Sequence, residues 1–143
     1  MCSSDLEFGP NSGRGFSLPE GDVEKGHTTF VELGCNTCHS VGDIEHVARA
    51  EAPDINIRLG GKVSVVKTYG DLVTSVINPS HKINRRYTKM GIATDEDGLK
   101  MDAYNEFMTV QQLVDLVTYL ESNYEIVVPR RTMYVTYELR DKK

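Results

Sequence analysis

Residues 35 to 39 read Cys35-Asn36-Thr37-Cys38-His39, and this stretch decides what the rest of the chain can be. Two thiols about one helical turn apart can each add across one vinyl group of a haem, and a histidine directly after the second thiol then lies beneath the iron. This spacing is the attachment signature of c-type haem. The sequence therefore predicts covalent haem binding through Cys35 and Cys38, with His39 as the proximal iron ligand.

Other chemistries also use paired cysteines, and the surrounding residues count against them. A Cys-x-x-Cys redox pair usually opens a helix within a βαβ unit, whereas here a helical pattern precedes the motif and no alternation of β and α patterns exists. A zinc site would need a second Cys-x-x-Cys or a His-x-x-x-His group, and the sequence has neither. Chance occurrence of a five-residue pattern is the remaining alternative.

The composition is that of one modest globular domain. The chain has 143 residues, of which 39% are hydrophobic and 26% charged, and this is enough for a single core. A mean hydropathy of -0.36 and the lack of a long apolar run argue against a membrane-spanning protein. The formal net charge of -5 argues against nucleic acid as a partner.

Capping residues predict the helices that flank the motif and close the domain. The first helix begins at Asp22, a good N-cap, and is stopped by Gly34. The last helix opens on a T-x-x-Q capping box from Thr109 to Gln112 and ends near Asn123. Its predicted apolar face consists of Leu113, Leu116, Val117, Leu120 and Tyr124.

A middle helix is predicted by an apolar stripe at helical spacing. The stripe consists of Tyr69, Leu72, Val73, Val76 and Ile77. Thr68 with Asp71 resembles a capping box, and the Asn78-Pro79 step ends the helix because a residue before proline avoids the helical region. No regular element is assigned to residues 35–67, and residues 80–108 are expected to be irregular.

The two ends of the chain differ from the domain between them. Residues 1–19 are expected to form a flexible arm, since they contain too little apolar surface to pack. Residues 20–125 form the predicted domain, and residues 126–143 form a C-terminal extension. Alternation of Met133, Val135 and Tyr137 with polar neighbours predicts a strand in that extension, which needs a partner strand.

The first helix, the haem motif and the last helix, taken in this order, resemble those of the class I c-type cytochromes, over roughly residues 22–124. The resemblance rests on the helix carrying Gly26-His27-Thr28-Thr29-Phe30, the haem motif, and residues 100–104 followed by residues 109–120. It implies an all-α, class I cytochrome c fold, with short helices around one covalently bound haem c and a strand-like tail outside it. It also implies that the first and last helices cross at Gly26, with Phe30 and Tyr119 packed at the contact.

Six-coordinate iron needs a second axial ligand, and the residue types alone leave six candidates open. These are Met90, Met101, Met108, His27, His46 and His81. The resemblance favours Met101, because the family's Met-Pro-x-aromatic segment corresponds here to Met101-Asp102-Ala103-Tyr104. The proline is missing, which removes a constraint on the loop but no atom that binds iron. Met90 is the main rival, and a bis-histidine site through His81 comes next.

The resemblance implies further contacts around the haem. The carbonyl of Pro53 is expected to accept a hydrogen bond from the ring nitrogen of His39 that does not bind iron. Tyr104, the aromatic residue of the methionine segment, is expected to contact the cofactor. The basic residues that could neutralise the haem propionates are Arg58, Lys62, Arg85 and Arg86.

An iron with both axial positions filled by protein can change oxidation state but does not bind substrate. The expected function is therefore one-electron transfer between redox proteins that dock transiently, without enzymatic activity. The basic residues from Lys82 to Lys89 could steer an acidic partner. Two other functions stay open: peroxide reduction or gas binding at a displaceable axial position, and a role as a subunit docked onto a larger complex through the C-terminal strand.

The location follows from the attachment chemistry. In the family, haem is attached on the outer side of the bacterial inner membrane, so the protein is expected in the periplasm, with a leader removed. Cys2 is then a candidate lipidated N-terminus, and residues 3–19 would serve as its tether. The alternative is that Cys2 is an incidental free thiol.

Overall fold

The computed structural model describes residues 18–50, 55–63, 69–83, 85–91, 94–95, 98–99, 101 and 103–126. Within these residues there are four α-helices: α1 (Val23–Glu32), α2 (Tyr69–Ile77), α3 (Arg85–Lys89) and α4 (Val110–Ser122). Two 3-10 turns, Cys35–Thr37 and Pro79–His81, follow α1 and α2. None of these helices is long and apolar enough to cross a membrane.

Helix α1 begins and ends where its capping residues predict. The Asp22 carboxylate accepts hydrogen bonds from the backbone N–H groups of Glu24 and Lys25, at 2.9 Å and 3.0 Å. Leu33 is the C-cap, and Gly34 follows it with a φ of 70°. A residue without a Cβ reaches this left-handed conformation at little cost, so Gly34 turns the chain away from the helix and into the haem motif.

Helix α4 has the predicted capping box. The Thr109 hydroxyl accepts from the Gln112 N–H at 3.1 Å, and the Gln112 side chain accepts from the Thr109 N–H at 2.8 Å. Asn123 caps the other end, as expected. The face of α4 that includes Leu116, Val117 and Leu120 is buried.

The first and last helices cross at close range. A Cβ on Gly26 would overlap the carbonyl of Asp115, and it would lie 2.6 Å from the Cβ of Tyr119. The rings of Phe30 and Tyr119 meet edge to face, with centroids 6.1 Å apart. The carboxylate of Asp115, which is only 3% exposed, also accepts from the backbone N–H of Asp22 at 2.8 Å. The predicted contact at Gly26 is therefore present, with a hydrogen bond that fastens the start of α1 to α4.

Helix α2 packs against α4 and divides the core into two clusters. One cluster centres on Phe30, Val76 and Leu120. The second consists of Leu72, Val73 and Val117, and both Leu18 and Tyr124 pack against it. The end of α2 at Asn78-Pro79 agrees with the prediction, whereas Thr68 of the predicted capping box lies outside the described residues.

Short strands are the main departure from the sequence prediction. Parallel pairing joins β1 (His39–Val41) to β2 (Ile57–Leu59) and β3 (Gly61–Val63) to β6 (Tyr124–Ile126). The antiparallel pair is β4 (Thr94–Asp95) with β5 (Gly98–Leu99). Strands of two or three residues are too short to show a period of two, so periodicity could not predict them. An all-α description therefore covers the helices but omits these pairs.

The stretch expected to be irregular, residues 80–108, contains α3 as well as the β4–β5 pair. Helix α3 has five residues and few apolar side chains, so the stretch carries too little periodicity to reveal it. The N-terminal arm up to residue 17 and the strand predicted within residues 133–139 lie outside the described residues. The domain boundaries therefore stay predictions.

Candidate haem site

The haem motif lies on a tight turn that directly follows α1. Backbone bonds close the turn: the Thr37 N–H donates to the Gly34 carbonyl at 3.0 Å, and the Cys38 N–H donates to the Cys35 carbonyl at 3.2 Å. The Thr37 hydroxyl also donates to the Gly34 carbonyl, at 2.7 Å. The turn ends at Cys38, so that His39 is the first residue of β1.

The ring of His39 is oriented by β2. Its Nδ1 atom lies 3.1 Å from the carbonyl oxygen of Ile57, the residue paired with His39 in the β1–β2 register. Because a carbonyl only accepts, Nδ1 carries the proton of the neutral ring, and Nε2 carries the lone pair that can bind a metal. Pro53, expected in the role of acceptor, lies outside the described residues.

A cleft of about 630 Å³, including the space at its mouth, borders the motif. Three helices and their ends supply its apolar walls: Phe30 on α1 with the C-cap Leu33, Leu72 and Val76 on α2, and Leu116 and Leu120 on α4. Cys35 and His39 form part of the lining. The apolar lining suits a large apolar molecule.

Met101 and Tyr104 line the same cleft. The segment that carries them is held in place by the turn after it, where the N–H groups of Phe107 and Met108 donate to the Tyr104 carbonyl at 3.0 Å and 2.8 Å. The Asn105 side chain donates to the Ile77 carbonyl at 2.8 Å, which ties this turn to the end of α2. Met101 therefore lines the same cleft as His39.

The other candidate ligands lie in different surroundings. Met90 is 60% exposed and is not among the residues that line the cleft, whereas Met108 does line it. The His27 ring packs edge to face on Tyr119, with centroids 5.4 Å apart, and its Nε2 is 3.6 Å from the Asp43 carboxylate. His46 reaches the backbone of the haem turn, and His81 is exposed at the end of a 3-10 turn.

Cys35 and Cys38 both lie half-buried on the turn. Burial raises the pKa of the Cys35 thiol to about 11, so its sulfur carries a proton at neutral pH. A thioether has no such proton, and the pKa therefore matters only before attachment. Cys38 lies on the same turn but does not line the cleft.

Some contacts of the site carry no signal in the sequence. Ile57 acts through its backbone carbonyl, which any residue would supply, and Leu59 lies in a stretch with no predicted element. Tyr124 belongs to the predicted apolar face of the last helix, but the structure puts it in β6, lining the cleft. The wall residues on α2 and α4 do have a signal in the sequence, since each belongs to a predicted apolar stripe.

The basic residues expected near the propionates are mostly at the surface. Arg58, Lys62 and Arg85 are exposed, and the side chain of Arg86 lies outside the described part of the chain. No group of three or more histidine, cysteine or acidic side chains among the described residues could hold a separate metal ion. The role of the four basic residues at the haem propionates stays a prediction.

The residues present fit a haem: a cleft with apolar walls, a thiol pair on a tight turn beside it, and an oriented imidazole with a thioether in its lining. The sequence profile of the cytochrome c family matches residues 23–123, which is more than half of the chain. The chain belongs to the cytochrome c family. It is a haem protein of electron transfer, with covalently bound haem c and redox partners, as that family implies. No curated protein and no solved structure gives a significant match.

Proposed function

We propose that this chain is a class I cytochrome with one haem, which carries single electrons between redox proteins and has His39 and Met101 as axial ligands. The observation that carries the proposal is that both side chains line one apolar cleft beside Cys35. The single haem follows from the sequence, because Cys35 and Cys38 form its one Cys-x-x-Cys-His motif. The exposure of Met90 supports Met101 over its main rival.

The residues of the site would act mainly by keeping the haem attachment points and the iron ligand in fixed positions. Bound haem supplies a one-electron Fe(III)/Fe(II) couple. The turn that carries Cys35 and Cys38 is closed by backbone bonds, and His39 is oriented by a carbonyl of β2. The apolar side chains that α1, α2 and α4 contribute to the cleft would exclude water from around a bound haem. Such a fixed, dry surrounding limits rearrangement when the charge of the site changes, which suits an electron carrier.

The partners proposed are redox proteins that bind weakly and leave quickly. Lys82, Arg85 and Lys89 are exposed within eight residues of one another, on and before α3. A positive surface of this kind raises the rate of encounter with an acidic partner more than it raises the affinity. The rate of electron exchange with an acidic partner should therefore fall as ionic strength rises.

The assignment of the axial ligand is tested by replacing Met101 or Met90 with alanine in the haem-loaded protein. Met101→Ala should abolish the weak far-red band by which ferric haem reports sulfur ligation. It should also lower the reduction potential by on the order of 0.1 V or more, since axial ligands set haem potentials over about 0.8 V. Met90→Ala should leave both unchanged. Loss of the band in Met90→Ala alone would assign the ligand to Met90.

Two further measurements bear on the function itself. A pyridine haemochrome assay should give one haem per chain. A far-red band that is missing in the wild-type ferric protein, together with tight binding of cyanide or nitric oxide, would instead favour an iron with an open axial position and overturn the carrier assignment.

We also propose a periplasmic location, with the chain anchored to the membrane through a lipidated Cys2. The support is the attachment chemistry, which in this family takes place outside the inner membrane, and the position of Cys2 ahead of a stretch poor in apolar residues. Labelled fatty acid should be incorporated by the protein from its native host and not by a Cys2→Ala variant. Equal labelling of the two would refute the anchor.

A further inference from the structure

The outer side of the haem turn is held by hydrogen bonds to its backbone carbonyls. Three of the four carbonyls from residue 35 to residue 38 accept from backbone N–H groups: that of Cys35 from Cys38 at 3.2 Å, that of Asn36 from Val47 at 2.9 Å, and that of Cys38 from Ile57 at 2.9 Å. The donors of these bonds belong to the backbone, so any substitution other than proline leaves them in place.

The fourth carbonyl, that of Thr37, depends on a side chain. It accepts from the Nε2 atom of His46 at 3.0 Å, across nine residues of sequence. Both the Thr37 residue and the His46 residue are half-buried, so an unpaired carbonyl here would be partly shielded from water. The bond requires a proton on Nε2, which one neutral tautomer and the charged ring both provide.

The segment that carries His46 is itself anchored to the core. Ile44 is 8% exposed and belongs to the cluster around Phe30. The backbones of Val41 and Ile44 exchange two hydrogen bonds, at 3.1 Å and 2.9 Å. His46 therefore lies two residues after the buried Ile44, and its hydrogen bond to the Thr37 carbonyl connects the haem turn to the core.

We propose that His46 is a positioning residue of the haem site. Its bond to the Thr37 carbonyl holds the attachment turn against the core, and so fixes the backbone from which His39 reaches the iron two residues later. The inference rests on the proposed function, in that it takes His39 as an iron ligand. It adds a residue that touches neither the cleft nor the iron but sets the geometry of one that does.

The test compares loaded wild-type protein with two substitutions at this position. His46→Gln keeps an amide N–H at a reach similar to that of Nε2, whereas His46→Ala removes the donor. Ser122→Ala is the matched control, because it also removes a side-chain bond to a backbone carbonyl, that of Tyr119 at 2.7 Å, from an exposed residue at the end of α4. The readouts are amide hydrogen exchange of Thr37 and Cys38, the reduction potential, and the hyperfine-shifted proton resonances of His39 in the ferric state.

In His46→Ala, exchange at these two amides should become about fivefold faster, the effect of losing one ordinary hydrogen bond. The His39 resonances and the potential should shift with it. His46→Gln should restore all three toward the wild-type values, and Ser122→Ala should move none of them. Unchanged resonances and potential in His46→Ala, or no recovery in His46→Gln, would overturn the proposal.

Variants that fail to load with haem also give a decision. If His46→Ala does not accumulate with haem while His46→Gln does, the bond is needed for attachment and the proposal is supported. If both fail, the ring acts by packing and the proposal is wrong. A wild-type protein without haem in the pyridine haemochrome assay would count against the proposed function instead, so the two failures are distinguishable.

Discussion

The surroundings of Tyr119 disfavour ionisation of its phenol. Tyr119 is 4% exposed, and its hydroxyl has no hydrogen-bond partner among the described residues. The rings of His27 and Phe30 pack against it edge to face. Burial, and then the negative charge of Asp43, raise the pKa of Tyr119 above its ordinary value. The folded protein thus favours the neutral phenol.

A pH dependence of stability follows from this shift. An unfolded tyrosine titrates near pH ~10, whereas folded Tyr119 keeps its proton to a higher pH. The contribution of Tyr119 to stability is therefore complete below pH ~10 and is lost as the pH rises above it. The check is denaturant unfolding followed by circular dichroism between pH 8 and pH 11, where Tyr119→Phe should show a smaller alkaline loss than wild type.

The control for this comparison is Tyr87→Phe, on α3 and away from the contact between α1 and α4. It should keep the wild-type alkaline profile. If Tyr119→Phe and wild type lose stability in parallel, another group causes the alkaline loss.

At the scale of elements, the crossing of α1 and α4 organises the domain. Helix α4 supplies one wall of the cleft, and α1 leads directly into the turn that carries Cys35. The separation of the two helices is set at Gly26, where no side chain intervenes. A change in this separation would move the haem turn relative to the wall of its own cleft.

Gly26→Ala tests the crossing with a single added carbon. The new Cβ would overlap the Asp115 carbonyl, and backbone on both sides cannot give way as a flexible side chain can. We expect the free energy of unfolding to fall by about 2 kcal/mol, although alanine gains about 1 kcal/mol of helix propensity over glycine. Thermal unfolding of the haem-loaded protein measures this change in the free energy of unfolding.

Val31→Ala, on the same helix at a side chain 43% exposed, is the control and should change stability by less than about 0.5 kcal/mol. Equal stabilities of Gly26→Ala and wild type would show that the two helices can separate at no cost.

The elements predicted correctly are those whose signals are local. Asp22, Gly34 and the Thr109 capping box mark helix ends through interactions within four residues, so the sequence displays them directly. The haem motif is equally local. The pairing of β1 with β2 depends on a register between residues 18 apart, and Ile57 contributes to the site through a backbone atom. No side-chain pattern encodes such a contact.

At the scale of the whole molecule, the described contacts around the cleft come from residues 30–124. Family similarity ends at residue 123, yet β6 extends the ordered pairing to Ile126 by joining β3. Tyr124 also lines the cleft and packs on the cluster of Leu72, Val73 and Val117. The functional domain is therefore expected to extend at least to residue 126, three residues beyond the match.

A fragment of residues 18–126 should bind haem with the spectrum and the potential of the full chain. Shortening it to residue 122 removes the β3–β6 pair and the Tyr124 side chain, so the thermal midpoint should fall by several degrees. Matched midpoints for the two fragments would show that β6 contributes nothing. Loss of haem from the longer fragment would show that the domain needs residues outside it.

Leu18 and Tyr124 pack against the same core cluster, and this has a consequence for how the domain is tethered. Both residues rest on one small cluster, so the polypeptide enters and leaves the domain on one side. If Cys2 is anchored in lipid as proposed, the 16 residue steps from Cys2 to Leu18 form a tether no longer than about 55 Å. The haem domain then diffuses only within a thin layer over the bilayer. The length of the tether sets its effective concentration for partners embedded in the membrane.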